Sequence, residues 1–433
     1  MVKIVAVYVV GAFLIFGMCV SARAGIQIGG ENGPLLHGFA EAALGVKLSD
    51  DTTKSDSFNY GEQRVQLKTL YRPDKGVLAD WYGVVDAKAD LFLDEYFGGK
   101  TGIDVRSLNL ALSPREWLDC KIGRQVFTWG TGDYLFINDL FPKDYISFYI
   151  GRDDEYLKKP SDGLKCSLYA AQINADIVVI PFFTPNTVFD GDRLSFFDPF
   201  QAGIAGIESD RRLVEQPAQV ENTEVAARIY RTLGSYEAAV YLFRGFYKNP
   251  VGYLDESRRE LYYPRLNSVG ASLRGPGLGG IVHAETGYYQ SVEDTSGKNR
   301  LIQNSQLKAM AGYSKDLGND WSAGGQYLIE QTLDYGRLQD ALAPGDYVWD
   351  EVRHLCTLRL TKLFKQQTVR ATLFLFYSPS DRDTYWRPSL SYDISDSLHW
   401  TSGANLAWGE EATTEFGQAQ RNKNIYTRLR YSF

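Results

Sequence analysis

The chain has 433 residues, of which 44% are hydrophobic, 14% are aromatic and 23% are charged, and its formal net charge is -7 at pH 7. This hydrophobic content excludes an intrinsically disordered chain. The acidic balance argues against general nucleic-acid binding, which requires a basic surface. The length alone is compatible with two or three soluble domains or with one large barrel.

The first residues have the organisation of a secretory signal peptide. Lys3 is followed by an apolar run over residues 4–20 and by an A-x-A motif that ends at Ala24. The run is shorter than the roughly 20 residues of a membrane-spanning helix, which argues against the alternative, an uncleaved N-terminal anchor. The pattern predicts a signal peptide at residues 1–24, cleaved after Ala24, and a single domain over residues 25–433.

Beyond this segment, apolar and polar residues alternate with a period of two, which is the pattern of β-strands with two different faces. A clear example is the stretch over residues 84–93, in which the apolar row Val85, Ala87, Ala89, Leu91 and Leu93 alternates with Asp86, Lys88 and Asp90. Many apolar rows end in Tyr or Trp, as expected where strands meet the two interfaces of a membrane. The alternative is a soluble sandwich or propeller, in which turns recur about every 8–12 residues.

The connections between the predicted strands alternate between short and long. Short turns are predicted near residues 73–76, 113–115, 172–173, 234–235, 275–279, 318–320, 365–366 and 395–396. Long loops are predicted near residues 49–60, 97–102, 129–162, 184–220, 248–262, 292–302, 333–350, 379–384 and 410–422. The pattern predicts an all-β fold, a transmembrane antiparallel β-barrel of about 18 strands in the bacterial outer membrane, with short periplasmic turns and long extracellular loops.

Three cysteines follow the predicted signal peptide, at Cys120, Cys166 and Cys356. They form no C-x-x-C or C-x-x-C-H motif, which excludes an obvious zinc site or covalent haem. Their odd number argues against a disulfide framework, so we expect each to be an apolar strand residue. We expect no cofactor.

The last strand predicts both faces of the wall. Leu429, Tyr431 and Phe433 would face lipid, whereas Arg428 and Arg430 would face the interior. A terminal Phe with apolar residues two and four places before it resembles the assembly signal of outer-membrane barrel proteins. That resemblance implies the barrel-assembly machinery and outer-membrane lipid as partners.

The most distinctive stretch covers residues 121–145. Its G-R-Q-x-x-x-W-G core consists of Gly123, Arg124, Gln125, Trp129 and Gly130. The stretch resembles a segment of the alginate-export-type porins and of a related, largely uncharacterised porin family. Looser similarity extends over residues 262–276, 284–291, 377–383 and the C-terminus. The resemblance implies an outer-membrane channel.

The third long connection, residues 129–162, is the candidate pore-constricting loop. In classical porins the third loop folds into the barrel, and by analogy we expect this one to do so; the alternative is a solvated outer loop. Charged side chains at a narrowing act on permeating ions, so the candidate constriction residues are Asp133, Asp139, Lys143 and Asp144. The acidic cluster at residues 152–156 would at most bind calcium weakly, and a solvated loop is favoured there.

Basic residues recur on predicted inward faces near the closure of the barrel. They are Arg64, Lys68, Arg359, Arg370, Arg387, Arg428 and Arg430, and together they are called the basic wall below. In a closed barrel they would form one patch suited to carboxylate or phosphate groups, which Arg can hold with two hydrogen bonds. Internal pairing with acidic side chains is an equally good interpretation.

These features predict a passive channel for small polar or anionic solutes, such as carboxylates or acidic saccharides. Two alternatives are a structural or partner-binding barrel within an export or electron-transfer complex and a channel for hydrophobic substrates. We expect no enzyme, because the neighbourhoods of the four histidines contain no recognisable nucleophile motif. The long loop at residues 184–220, with its aromatic segment at residues 196–200, is a candidate docking surface or lid, and both a monomer and an oligomer fit the sequence.

Overall fold

The structure is a computed structural model and describes residues 26–27, 33–54, 57–344, 346–347 and 350–433. The predicted signal peptide lies outside these residues. A single sheet of 19 strands, one of which has only the two residues Ile26–Gln27, closes on itself as an 18-stranded antiparallel barrel. The predicted fold class is therefore confirmed.

The barrel strands follow one another around the wall in chain order. They are β1 (Leu35–Lys47), β2 (Phe58–Tyr71), β3 (Val84–Asp94), β4 (Lys100–Arg115), β5 (Leu118–Gln125), β6 (Ser161–Tyr169), β7 (Asn174–Ile180), β8 (Glu224–Leu233), β9 (Tyr236–Phe246), β10 (Arg265–Gly277), β11 (Gly280–Ser291), β12 (Gln306–Gly318), β13 (Trp321–Thr332), β14 (Val352–Phe364), β15 (Val369–Ser378), β16 (Asp383–Asp393), β17 (Leu398–Gly409) and β18 (Asn424–Ser432).

Short elements lie between the barrel strands. The helices are α1 (Val77–Asp80), α2 (Tyr145–Ile150) and α3 (Tyr335–Ala341), and the 3-10 turns are Glu95–Phe97, Asp154–Tyr156, Val220–Asn222 and Gln420–Asn422. The loop strands are Phe196–Asp198, Gly203–Ala205, Arg212–Val214, Gly252–Asp255 and Glu260–Tyr262. None of the helices in the described residues is long and apolar enough to cross a membrane.

The barrel closes between β1 and β18. Glu41 lies opposite Arg430 in this antiparallel pair. The ladder continues to the last residue, because the Gly38 amide donates to the Phe433 carbonyl at 2.9 Å and the Phe433 amide donates to the Gly38 carbonyl at 3.0 Å. The closure leaves no free sheet edge at this seam.

The positions of the predicted turns and loops agree with the strand boundaries. The short connections are residues 72–83, 116–117, 170–173, 234–235, 278–279, 319–320, 365–368 and 394–397. The opposite end of the barrel, called the loop side below, carries the described residues of the connections 48–57, 95–99, 126–160, 181–223, 247–264, 292–305, 333–351, 379–382 and 410–423. Two of these nine, 95–99 and 379–382, are as short as turns, and α1 lengthens the first short connection.

Two-residue turns explain several tight reversals on the turn side. Leu278 and Gly279 have φ angles of 55° and 72°, and Asn319 and Asp320 have φ angles of 51° and 61°. A type I′ turn requires positive φ at both central positions, and its twist matches that of the flanking strands. These turns hold β10 against β11 and β12 against β13.

Aromatic side chains mark both ends of the outward face. Trp117 and Trp321 are exposed beside the short turns, and Trp386 and Trp408 are exposed near the loop side, with ring centroids 6.4 Å apart. Two aromatic belts separated by an apolar band are the pattern of a barrel in a bilayer.

The cysteine prediction needs correction. Cys120 and Cys166 lie directly opposite each other on β5 and β6 and form a disulfide, whereas Cys356 on β14 is free and half-buried. Cysteine spacing along the chain carried no signal for this pair, because the barrel register rather than the sequence separation brings the two residues together.

The hydrophobic core lies inside the barrel. Ile137, Phe148 and Ile150 belong to the connection between β5 and β6, and they pack in one cluster with inward residues of the wall such as Phe374 and Tyr385. Residues 126–160 are called the inward loop below, since this packing places the connection within the lumen.

Candidate functional site: the inward loop and the basic wall

The inward loop is anchored to β11 at its first half. Glu285 accepts hydrogen bonds from the backbone amides of Thr131 and Gly132, the latter at 3.1 Å, and from the Asn138 amide and side chain at 3.3 and 3.0 Å. Gly130, at φ +84°, makes this approach possible, because a Cβ there would lie 3.0 Å from the Glu285 carboxylate. One carboxylate thus holds the 130–138 segment, called the anchored segment below.

Glycines of the wall let the anchored segment approach closely. A Cβ at Gly270 of β10 would lie 1.9 Å from the Asn138 side-chain oxygen, and one at Gly287 of β11 would lie 2.7 Å from Ile137. Glycine within a strand often marks such a close backbone approach. Gln326 of β13 adds two hydrogen bonds, accepting from the Asp133 amide at 2.8 Å and donating to its carbonyl at 3.0 Å.

The loop tip, residues 152–155, is held by ion pairs instead. Asp153 contacts Arg428 at 3.0 Å and Arg430 at 3.4 Å, and Asp154 contacts Arg387 at 3.0 Å. Burial raises the pKa of Asp153, but the guanidinium groups of Arg428 and Arg430 outweigh it and hold that pKa below its usual range. The tip therefore places two negatively charged carboxylates against the arginines of β16 and β18.

On the other side of the tip, β2 and β3 supply a second ionic cluster. Arg64 contacts Glu62 at 2.7 Å and Asp90 at 2.6 Å, and its guanidinium lies 4.5 Å from the centre of the Tyr156 ring. The Tyr156 hydroxyl donates to Asp90 at 2.6 Å. Arg152 reaches Glu62 at 2.6 Å, so the loop and the wall share one network.

A bulge in β4 adds a further contact. The register between β3 and β4 shifts beside Arg106, which turns this side chain toward the loop. Arg106 donates to the carbonyls of Glu155 and Lys158 at 2.9 and 2.7 Å. Lys88 pairs with the Glu155 carboxylate at 3.2 Å. Bulges commonly re-aim a side chain in this way.

The seven residues of the basic wall all lie on inward faces, but they do not form one patch. Arg64, Arg387, Arg428 and Arg430 surround the loop tip and are ion-paired, partly with Glu41, which contacts Arg430 at 2.8 Å. The remaining three lie apart from the tip. Arg359 pairs with Asp133 at 2.9 Å, while Lys68 and Arg370 lie toward the turn side with no ion pair in the part of the chain that the structure describes.

The four candidate constriction residues have different positions. Asp133, 43% exposed, faces the lumen. Asp139 and Lys143 form a buried pair at 3.0 Å, in which burial lowers the pKa of Lys143. Asp144 accepts from the Ser147 amide and caps α2. Three of the four therefore support the loop internally.

Asp133 pairs with Arg359 of the wall, and the acidic residues that meet the wall at the loop tip are Asp153, Asp154 and Glu155. The sequence predicted a solvated loop for these three tip residues, with weak calcium binding as the alternative. The described residues contain no group of three or more His, Cys, Asp or Glu side chains arranged to hold a metal ion. Alternation along one strand cannot reveal these contacts, because they depend on the path of the loop through the lumen.

The distinctive motif shapes the start of the inward loop. Gly123 has φ +118°, and a Cβ there would lie 2.4 Å from the Leu108 carbonyl. The Gln125 side chain donates to the Lys121 carbonyl at 3.1 Å. Arg124 points outward and pairs with Asp162 at 2.7 Å.

The ring of Trp129 completes the motif. It lies 5.0 Å from that of Phe141 and 6.0 Å from that of Tyr241. This packing holds the beginning of the loop against β9. The motif residues therefore shape and hold the start of the inward loop.

A cavity of about 590 Å³ lies between the inward loop, the inner face of strands β10 to β15 and connections of the loop side. It is called the loop-side cavity. Phe196, from the candidate docking segment, is buried and lines it, and the guanidinium of Arg211 lies 3.7 Å from the centre of that ring. The segment covers a cavity rather than offering Phe196 to a partner.

No family model matches the sequence, and neither does any curated protein. Solved structures do match the fold. OccAB3 of Acinetobacter baumannii has a TM-score of 0.54 at 9% identity, covering 92% of this chain and 99% of that chain. OccK5 (OpdH) of Pseudomonas aeruginosa has a TM-score of 0.53 at 14% identity, covering 92% and 97%. OccK11 (OpdR) of the same organism has a TM-score of 0.52 at 11% identity, covering 92% and 95%.

These structural neighbours are outer-membrane porins. The likeness extends over nearly the whole of each chain, although the sequences have diverged widely. The resemblance to alginate-export-type porins stays a prediction. The 18-stranded antiparallel barrel of this chain thus has the fold of the outer-membrane porins.

Proposed function

We infer that the chain is a passive outer-membrane channel for small polar or anionic solutes, such as carboxylates or acidic saccharides. The observation that carries this proposal is the inward loop, which crosses a closed barrel and meets inward-facing arginines through its acidic tip. The porin fold of the neighbours supports the same function and a bacterial outer-membrane location. The loop side is then extracellular and the turn side periplasmic.

In this channel the inward loop forms the constriction. Every tip-contacting cation of the wall already has a carboxylate partner, so these groups narrow the pore without presenting a bare positive surface. Lys68 and Arg370 are exposed on the periplasmic side and free of ion pairs among the described residues. Selectivity in a pore follows from charged rings and pore width, so these two side chains favour anions.

The charged inward rows also argue against a channel for hydrophobic solutes. Inward positions from β2, β3, β16 and β18 carry Arg64, Asp90, Arg387 and Arg428. An apolar solute would have to cross this ionic belt and would gain no burial of its surface there. Small solutes that form hydrogen bonds or carry charge fit the lumen better.

The test is planar-bilayer conductance of the refolded protein, with the reversal potential measured in a salt gradient. We expect a steady anion-selective current, and we expect the double variant Lys68→Ser/Arg370→Ser to lose part of that selectivity. Arg231→Ser is the matched control, because Arg231 is exposed on the outward face of β8. A correctly folded barrel that passes no current would overturn the channel, and unchanged selectivity in the double variant would overturn the role of these two residues.

A further inference from the structure

We propose that the loop-side cavity is a binding site for a neutral polyhydroxylated solute, a saccharide of one or two rings. The proposal rests on the channel function, since a solute that enters from the loop side meets this cavity before the constriction. The volume of about 590 Å³ lies within the range of small-molecule sites, roughly 300–1,000 Å³.

Most of the charges that line the cavity are paired within the protein, although the Arg211 side chain bonds only to the Phe189 carbonyl and Asp350 has no ion pair among the described residues. Lys308 contacts Glu330 at 2.6 Å, and Arg353 contacts Glu330, Asp381 and Glu415 at 2.9, 2.6 and 2.7 Å. Five lining side chains are cationic and five are acidic, so the lining has no net charge. A charged ligand at Lys308 or Arg353 would have to break these pairs, and separating a partly buried pair is costly.

Four uncharged polar side chains of the lining, in contrast, have no hydrogen-bond partner among the described residues. The Tyr247 hydroxyl is buried without a hydrogen bond to any residue that the structure describes, and Tyr247 itself is only 8% exposed. The side chains of Tyr145, Gln303 and Gln306 likewise have no hydrogen-bond partner among the described residues, and all four residues line the cavity. A buried polar group normally has a partner, so a ligand hydroxyl would satisfy the Tyr247 hydroxyl, and the half-buried Tyr145, Gln303 and Gln306 side chains offer further hydrogen bonds to the ligand.

Aromatic rings supply the complementary apolar surface. Phe189 and Phe196 line the cavity together with Tyr145 and Tyr247. A sugar ring has C–H faces that pack on aromatic rings and hydroxyl edges that bond to amides and phenols. The combination of rings, free amides, free phenols and zero net charge selects a neutral saccharide over a carboxylate.

The test is isothermal titration calorimetry of the refolded full-length protein in detergent, with maltose and sucrose as neutral probes and glucuronate as the charged probe. We expect a neutral disaccharide to bind more tightly than glucuronate. Tyr247→Phe and Gln306→Ala should each weaken that binding by about three- to tenfold, the loss of one hydrogen bond. Tyr247→Phe removes a hydroxyl with no protein partner, so its folding should be intact.

Gln290→Ala is the matched control, since Gln290 lies on the outward face of β11 and bonds to Asn267. Tighter binding of glucuronate, or equal affinity of wild type and Tyr247→Phe for the disaccharides, would overturn the proposal. Absence of disaccharide binding in protein that still conducts ions would overturn the saccharide site alone. Absence of current with disaccharide binding retained would overturn the channel and keep the site.

Discussion

The anchored segment and the tip of the inward loop are held in the lumen by different forces. At residues 130–138, one carboxylate accepts from backbone amides while glycines of the wall allow close packing. At residues 152–155, two carboxylates contact three arginines. Hydrogen bonds to an enclosed backbone depend on geometry, whereas partly exposed ion pairs also depend on salt and pH. The position of the loop and its electrostatic response can therefore be altered separately.

Removing the anchor should have the largest effect. Glu285→Ala leaves several loop amides without an acceptor, and an unpaired buried donor costs about 1–3 kcal/mol. We expect the anchored segment to detach from β11, with a clear increase in single-channel conductance and current noise. Bilayer recordings measure both quantities.

Two variants control this experiment. Glu285→Gln keeps an acceptor oxygen and should restore part of the wild-type conductance. Glu237→Ala removes an inward carboxylate that pairs with Arg228 on the wall rather than with the loop, and it should leave the conductance nearly unchanged. Wild-type conductance in Glu285→Ala would contradict the anchoring role.

Neutralising the tip should have a smaller effect on pore size and a clearer one on selectivity. Asp153→Asn/Asp154→Asn frees Arg387, Arg428 and Arg430 from their loop partners. Because the released cations face the lumen, we expect the anion-to-cation permeability ratio to rise about two- to fivefold, as charge rings set selectivity. Reversal potentials in a salt gradient measure the ratio.

The matched control for the tip is Asp334→Asn, which removes an exposed carboxylate paired with Arg337 on the loop side, away from the tip. Its permeability ratio should equal that of the wild type. An unchanged permeability ratio in the double tip variant would mean that the arginines pair with other carboxylates of the wall. It would then contradict the proposal that the tip, unlike the anchored segment, controls the charge of the pore.

Acidification should break the ion pairs of the loop tip only at a pH below the normal titration range of Asp. The pKa of Asp153 is held below its usual range, so its ion pairs stabilise the loop above the ordinary Asp pKa. That contribution disappears as the pH falls through the lowered value. We expect the tip to stay paired through the normal titration range of Asp, near pH 4, and current noise to rise below it. Asp153→Asn should flatten this pH profile, and noise that already rises near neutral pH would contradict the assignment.

The inward and outward faces of the barrel strands were predictable from the sequence, because polar and apolar residues alternate along each strand with a period of two. The last strand illustrates this, since Arg428 lies inside the barrel as predicted. Six of the eight predicted short turns contain Gly, Asn, Asp or Pro, whereas those at residues 172–173 and 365–366 contain none of them.

Contacts across the lumen were not predictable in the same way. The sequence around Glu285 contains no sign of its contact with the loop, and Asp153 resembled part of an ordinary acidic loop. Glu62 and Arg64 are two residues apart on one strand and therefore share a face, so their pairing could have been predicted from the alternation. What the alternation could not supply was the path of residues 126–160, which decides which inward groups meet.

The disulfide between Cys120 and Cys166 has a topological consequence. It joins the two strands from which the inward loop leaves and to which it returns, so the loop and the bond form a closed covalent ring. A single peptide cleavage inside the loop would leave one continuous covalent molecule. The two halves of the barrel wall would therefore stay covalently joined after a single cut in the inward loop.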